Sequence, residues 1–172
     1  ELIELADTFE ATPQSLINHG KQTAGNIFTS QNPAILKIKK IIMANVRSYR
    51  EEFAGDSSGF ISSWPENSSL HGWFVNISSG GTLDAHMHKQ GWISGSLYLS
   101  IDKSLDPSEG NLVFSLQGPD YPKLIKPPME IEVDLAEGDL VLFPSSIFHR
   151  TNAFVSTVPR ISLAFDLKPD LR

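Results

Sequence analysis

From residue 59 onward, the sequence consists of short runs rich in β-branched and aromatic side chains, separated by Gly, Pro, Ser and Asp. Runs of this kind predict β-strands. The predicted strands are residues 60–62, 72–78, 81–88, 95–101, 111–116, 129–133, 140–143 and 160–167. No helical pattern lies between them, which disfavours a doubly wound parallel sheet. Strands this short and this frequent favour a mainly β fold of two packed sheets, such as a jelly roll.

The first 55 residues contain a helical pattern instead. Six apolar side chains recur at spacings of three and four residues, which places them on one face of a helix. These side chains are Ile35, Ile38, Ile42, Val46, Tyr49 and Phe53. Asn32 can cap the helix, Pro33 suits its first position, and Gly55 follows its end. We expect residues 1–55 to be a helical segment that packs on a sheet formed within residues 56–172, together making one structural domain.

Composition and charge exclude several classes of function. The chain has 14 Lys and Arg against 20 Asp and Glu, a net charge of -6, which argues against nucleic acid or an anionic membrane as the main partner. It has no Cys, so disulfides, thiol nucleophiles and iron–sulfur clusters are excluded. No apolar run reaches the roughly 18 residues of a membrane span. We therefore predict a cytoplasmic protein that binds neither nucleic acid nor membrane, and a homodimer stays open.

Two histidines separated by one residue are the strongest local signal for a binding site. His86 and His88 fall in a predicted strand, where side chains two residues apart point to the same face. Two imidazoles on one face can bind Fe, Zn, Cu or Ni, although they can also decorate a solvent-exposed face. His149 follows the predicted strand 140–143, whose end is marked by Pro144. This order indicates a site made by three histidines.

The predicted strand that begins at Arg160 carries a second signal. Strand alternation places Arg160 and Ser162 on one face, with Ile161 and Leu163 on the other. A guanidinium beside a hydroxyl can hold a carboxylate through paired hydrogen bonds. Because a buried arginine without an anionic partner is costly, Arg160 needs either a protein carboxylate or a bound anion.

The ordered set of motifs resembles the iron(II)- and 2-oxoglutarate-dependent dioxygenase superfamily. More narrowly, it is similar to a bacterial oxygenase branch with His-x-His, Ser-Gly-x-x-Tyr, a Gly…Phe-Pro segment, a distal His and Arg-x-Ser. The matching residues are His86, His88, Ser94, Gly95, Tyr98, Gly138, Phe143, Pro144, His149, Arg160 and Ser162. The resemblance covers about residues 70 to 168.

This resemblance implies a double-stranded β-helix, which is a cupin-like jelly roll, with supporting N-terminal helices. It implies an oxygenase that hydroxylates its substrate while 2-oxoglutarate is decarboxylated to succinate. It also implies two sets of site residues. Iron(II) would be held by His86, His88 and His149. The co-substrate 2-oxoglutarate would be held by Arg160, Ser162 and Tyr98.

One departure from the superfamily pattern concerns the charge at the metal. The common triad has Asp or Glu at the position of His88. An all-imidazole set leaves iron(II) fully dipositive, which we expect to raise its redox potential. The resemblance therefore supports metal and co-substrate binding more directly than it supports hydroxylation.

A second resemblance leaves two alternatives open. Cupins, which are jelly rolls as well, have two sequence motifs that this chain also resembles. The His-x-His segment resembles the first motif, and the second is resembled by Gly138, Pro144 and His149. A three-His cupin dioxygenase that does not use 2-oxoglutarate is the first alternative. A non-catalytic jelly-roll binding module is the second. Neither has a particular use for Arg160 and Ser162.

The substrate is not legible in the sequence. We expect loops such as residues 102–109 and 117–128 to select a small-molecule or peptidyl substrate, because binding residues concentrate on loops held by a rigid scaffold. The chain begins with Glu1 and not with Met. Because family members often carry a helical-repeat region before the oxygenase domain, we expect the chain to be part of a longer protein.

Overall fold

The computed structural model describes residues 1–102, 106–122 and 129–170. Its helices are α1 (Leu2–Ala6), α2 (Pro33–Glu52) and α3 (Gly59–Ser62), with a 3-10 turn at Ile27–Thr29. Its strands are β1 (Ala11–Thr12), β2 (Ile17–Thr23), β3 (Ser68–His86), β4 (Ile93–Ser100), β5 (Leu112–Ser115), β6 (Glu130–Val133), β7 (Leu140–Pro144), β8 (Phe148–Thr151) and β9 (Arg160–Pro169). None of these helices is long and apolar enough to cross a membrane.

The strands form one curled antiparallel sheet in the order β6-β5-β8-β3-β9-β4-β7, and β2 also pairs with β3. The long strand β3 connects the two parts of this sheet. Its first ten residues pair with β9, and its last residues pair with β8. Between these two parts, Gly80 has φ of 75°, a conformation that glycine adopts without steric strain. Because β3 changes its pairing partner here, its last residues lie beside β8, the strand that contains His149.

Helix α2 forms as the sequence predicts and covers one face of the sheet. The Asn32 side chain accepts a hydrogen bond from the Ala34 N–H at 2.8 Å, and Pro33 is the first helical residue. Ile35 and Ile42 on its apolar face are fully buried. This face packs against apolar side chains of β3, β4 and β9, namely Leu70, Phe74, Ile93, Leu163, Phe165 and Leu167. Because side chains alternate along β9, its even-numbered residues face the opposite side of the sheet.

The mainly β architecture is confirmed, but one predicted strand is wrong. Residues 60–62 lie in α3 and not in a strand, and the ring of Phe60 packs against that of Trp64, with centroids 5.9 Å apart. Residues 1–55 contain helices α1 and α2 and also strands β1 and β2, which pair with each other while β2 pairs with β3. The three- and four-residue spacing of apolar side chains that predicts a helix occurs in α2. Strand β2 has no such local pattern and is stabilised by pairing with the distant strand β3. The division at residue 55 stays a prediction.

Two further differences concern strand number and loops. The runs 72–78 and 81–88, predicted as separate strands, belong to the single strand β3 except for the last two residues. The prediction omits β8, whose four residues include the polar pair His149 and Arg150 and give no strand signal of their own. Of the two predicted specificity loops, residues 103–105 and 123–128 lie outside the described residues.

Candidate metal centre

Three histidines meet where β3 and β8 pair. His86 is the last residue of β3 and lies directly opposite His149 of β8 in the strand register. His88 follows two residues later, and its Nε2 lies 3.1 Å from the Nε2 of His86. The ring centroid of His149 is 4.3 Å from that of His86 and 5.0 Å from that of His88. One potential ligand atom from each residue lies within 4.8 Å of the other two.

The second nitrogen of each ring contacts an oxygen, which determines the tautomer. His86 Nδ1 lies 2.7 Å from the Asp84 carbonyl oxygen, and His149 Nδ1 lies 3.1 Å from the Ile147 carbonyl oxygen. His88 Nδ1 lies 2.6 Å from Asp166 Oδ1. Because these oxygens accept hydrogen bonds, each Nδ1 carries the proton and each Nε2 presents a lone pair. Three converging nitrogen lone pairs without a proton between them fit a divalent ion.

The protonation equilibria favour the same arrangement. Burial, followed by the proximity of His86 and His88, lowers the pKa of His149 to about 3. Burial is also the main cause that lowers the pKa of His86 from its ordinary value. Both imidazoles are therefore neutral near pH 7, which is the form that binds a metal ion.

A cavity of about 160 Å³ adjoins the three imidazoles. All six sequence-predicted site residues line it, namely His86, His88, Tyr98, His149, Arg160 and Ser162. Tyr98 of β4 lies directly opposite Ser162 of β9 in the strand register, which brings their side chains to the same face. The strand alternation used to place Arg160 beside Ser162 therefore predicts their common location correctly.

Arg160 is a buried cation at this cavity. Its residue surface is only 5% exposed, its Nε donates a hydrogen bond to the Gly110 carbonyl oxygen at 2.9 Å, and its Cζ lies 4.9 Å from the centroid of the Tyr98 ring. Burial lowers the pKa of Arg160 from its ordinary value and raises that of Tyr98. Within the described part of the chain, no carboxylate forms an ion pair with Arg160. The protein-carboxylate alternative considered from the sequence is therefore not found there.

Sequence reasoning missed two residues of this region. Trp73 lines the cavity, and its ring centroid lies 5.7 Å from that of His88. Asp166 contacts His88 and is only 4% exposed. The strand alternation that pairs Arg160 with Ser162 extends to Asp166 and could have placed it on the same face. No sequence spacing relates Asp166 to His88, because they meet only through the pairing of β9 with the distant strands β3 and β4.

Comparison with protein families decides between the alternatives. The sequence profile of the family described as "Putative 2OG-Fe(II) oxygenase" matches residues 71–166, more than half of the chain. The chain belongs to this family. It is therefore an iron(II)- and 2-oxoglutarate-dependent oxygenase, as the ordered motifs imply. The matched range includes all six predicted site residues. No curated protein matches the sequence significantly.

Solved structures of low sequence identity share the fold of this oxygenase. A prolyl-4-hydroxylase from Pseudomonas putida is 17% identical, with 99% of this chain and 83% of that chain covered and a TM-score of 0.64. HygX from Streptomyces hygroscopicus, solved with nickel and 2-oxoglutarate bound, is 14% identical, with 99% and 77% covered and a TM-score of 0.68.

A third similar structure is an oxidoreductase of the 2OG-Fe(II) oxygenase family from Burkholderia pseudomallei. It is 14% identical, with 98% of this chain and 76% of that chain covered and a TM-score of 0.58. At these identities the likeness concerns the fold alone. Together with the curled antiparallel sheet, it confirms the predicted double-stranded β-helix.

Proposed function

We propose that this oxygenase hydroxylates a small-molecule or peptidyl substrate while 2-oxoglutarate loses carbon dioxide and becomes succinate. In this proposal His86, His88 and His149 hold iron(II), and Arg160, Ser162 and Tyr98 hold 2-oxoglutarate. The observation that carries the proposal is the buried guanidinium of Arg160, which lines the same cavity as the three imidazoles and forms no ion pair with a carboxylate among the described residues.

The three imidazoles suit iron(II) by their chemistry. Imidazole nitrogen is a good ligand for iron, and three protein ligands leave coordination positions for a chelating co-substrate and dioxygen. When bound, iron(II) supplies the redox chemistry that activates dioxygen. The protein contributes the orientation of each ring, because the oxygens at the three Nδ1 atoms hold Nε2 towards the common centre.

Arg160 supplies the charge for binding a dicarboxylate. A buried guanidinium without an anion is unfavourable, and a carboxylate that enters the cavity restores the lost electrostatic stabilisation. Two parallel N–H···O hydrogen bonds can form between a guanidinium and a carboxylate, and Ser162 on the same face offers a hydroxyl. The 2-oxo acid end of the co-substrate would then face the histidines, at the other end of the same cavity.

Tyr98 would act as a neutral hydrogen-bond partner. Burial raises the pKa of its hydroxyl, so the group stays protonated at neutral pH and can donate to a carboxylate. Its ring lies against the Arg160 guanidinium and restricts the orientations that this side chain can take.

The proposal is tested by titrating 2-oxoglutarate into the Ni(II)-loaded protein by calorimetry and by measuring succinate formed with Fe(II) and dioxygen. We expect saturable 2-oxoglutarate binding and slow substrate-independent succinate formation. Arg160→Ala should bind Ni(II) normally and lose 2-oxoglutarate affinity, because the metal ligands stay intact while the anion partner is removed.

Arg150→Ala is the matched control, because Arg150 pairs with Glu130 and does not line the cavity. Its 2-oxoglutarate affinity should equal that of the wild type. Equal affinity in the wild type and Arg160→Ala would contradict the proposed co-substrate site, and absence of Ni(II) binding in the wild type would contradict the metal site.

A further inference from the structure

Asp166 is a buried carboxylate beside the metal centre that the proposed function leaves without a role. Its Oδ1 lies 2.6 Å from His88 Nδ1 and accepts a hydrogen bond from Ser94 Oγ at 2.7 Å. The His88 side chain is 17% exposed and that of Asp166 is 6% exposed. A short contact at this depth is a charge-assisted hydrogen bond, which is stronger than one between neutral groups.

The surrounding residues hold this carboxylate in place. Ser94 lies directly opposite Asp166 in the register of β4 and β9, and its Oγ also lies 2.8 Å from Ser145 Oγ. Both serines are 1% exposed. At Gly91, a Cβ atom would lie 2.4 Å from Ser145 Oγ and 3.3 Å from Asp166 Cγ, so the backbone packs closely over the group. The carboxylate therefore has little room to turn away from His88.

The position of this carboxylate bears on the charge of the site. Iron(II) held by three neutral imidazoles keeps both positive charges, whereas a carboxylate ligand would cancel one of them. Asp84, on the same strand as His86, is exposed, and its side chain accepts a hydrogen bond from Asn18. Among the described residues, Asp166 is the acid whose carboxylate contacts one of the three imidazoles.

We propose that Asp166 is a positioning residue that delivers its negative charge to the metal through His88, since the ligand set found among the described residues consists of three histidines and no carboxylate. This inference rests on the proposed iron site. Asp166 holds the proton on Nδ1 of His88 and directs Nε2 towards the metal. It also raises the basicity of Nε2, which therefore donates its electron pair to the metal more strongly, as carboxylate partners of metal-bound imidazoles do.

Asp166→Asn separates charge from geometry, because the amide oxygen can still accept from Nδ1 of His88 but carries no charge. We expect Co(II) affinity, followed by visible absorption, to fall by about 10- to 100-fold. We also expect the reduction potential of the iron-loaded protein to rise, because a nearby negative charge stabilises the oxidised metal. If Asp166 had only a structural role, folded Asp166→Asn protein loaded with iron would keep the reduction potential of the wild type.

Asp84→Asn is the matched control, since it removes an equal charge close to His86. The Asp84 side chain is hydrogen-bonded to Asn18, and only the backbone carbonyl oxygen of Asp84 contacts His86. The Co(II) affinity and potential of this variant should change far less than those of Asp166→Asn, because the Asp84 side chain is exposed and hydrogen-bonded to Asn18, and thermal melting of each metal-free variant reports the fold. Unchanged affinity and potential in Asp166→Asn overturn the inference, as do equal changes in both variants. Failure of the wild type to bind Co(II) overturns the iron site itself.

Ser94→Ala provides a second route if Asp166→Asn does not fold. It removes the hydrogen bond that orients Asp166 while leaving the carboxylate in place. Co(II) affinity should then fall by less than in Asp166→Asn, because the charge remains but is held less firmly. Unchanged affinity in folded Ser94→Ala would overturn the inference.

Discussion

The Nε2 atoms of His86 and His88 lie 3.1 Å apart, and neither carries a proton when both Nδ1 atoms donate to oxygen. Two lone pairs at this separation repel each other unless a cation or a proton lies between them. The pair is therefore arranged for an ion, and His149 adds a third nitrogen from β8.

Removal of one imidazole should abolish tight metal binding. We expect His149→Ala to lose Co(II) binding as followed by visible absorption, because only two of the three nitrogens remain. His19→Asn is the matched control, since the exposed His19 lies on β2, outside the cavity lining. Co(II) affinity of His149→Ala equal to that of His19→Asn would show that His149 is not a ligand.

The planar shape of the Arg160 guanidinium, and not only its positive charge, should contribute to 2-oxoglutarate affinity. Arg160→Lys keeps the positive charge but replaces paired donors with a single ammonium group. Because one hydrogen bond to a charged group is worth about 1.5–3 kcal/mol, 2-oxoglutarate affinity should fall by roughly tenfold or more. Calorimetry on the Ni(II)-loaded protein measures this. Arg150→Lys should leave the affinity unchanged, and an unchanged affinity in Arg160→Lys would argue against paired hydrogen bonds.

The buried face of α2 should contribute more to stability than the exposed face of the same helix. Ile42 is 0% exposed, whereas its neighbour Ile41 is 44% exposed. Ile42→Ala should lower the free energy of unfolding by about 2–5 kcal/mol, because it removes buried surface and leaves a cavity. Ile41→Ala should change it by less than about 0.5 kcal/mol. Urea denaturation of both variants measures the difference, and similar losses would mean that α2 packs by another face.

The close approach of β4 to its neighbours should require glycine at residue 95. A Cβ atom there would lie 2.4 Å from Phe165 Cζ and 2.6 Å from the Val141 carbonyl oxygen. Gly95→Ala should destabilise the fold by about 1–3 kcal/mol, because the backbone oxygen cannot move freely. Gly59→Ala, where nothing lies within 4 Å of the added atom, is the control and should melt like the wild type. Equal melting temperatures for the two variants would contradict this packing.

Local signals in the sequence explain which elements were predicted correctly. Helix α2 has its cap, its first-position proline and a full apolar period within one segment, so its boundaries follow from residues 32–55 alone. Strand β2 lacks such a local signal, because it is stabilised by pairing with β3. The short helix α3 depends on aromatic contacts with residues that lie outside it.

The sequence by itself determined the family motifs, the shared face of Arg160 and Ser162, and the histidine set, because strand alternation and residue order are local properties. Only the tertiary structure decided that these groups share one cavity, that Arg160 has no carboxylate partner among the described residues, and that Asp166 contacts His88. These relationships arise from pairing between strands far apart in the chain. The sequence contains no spacing rule for such contacts, because the intervening loops can vary in length without changing the register.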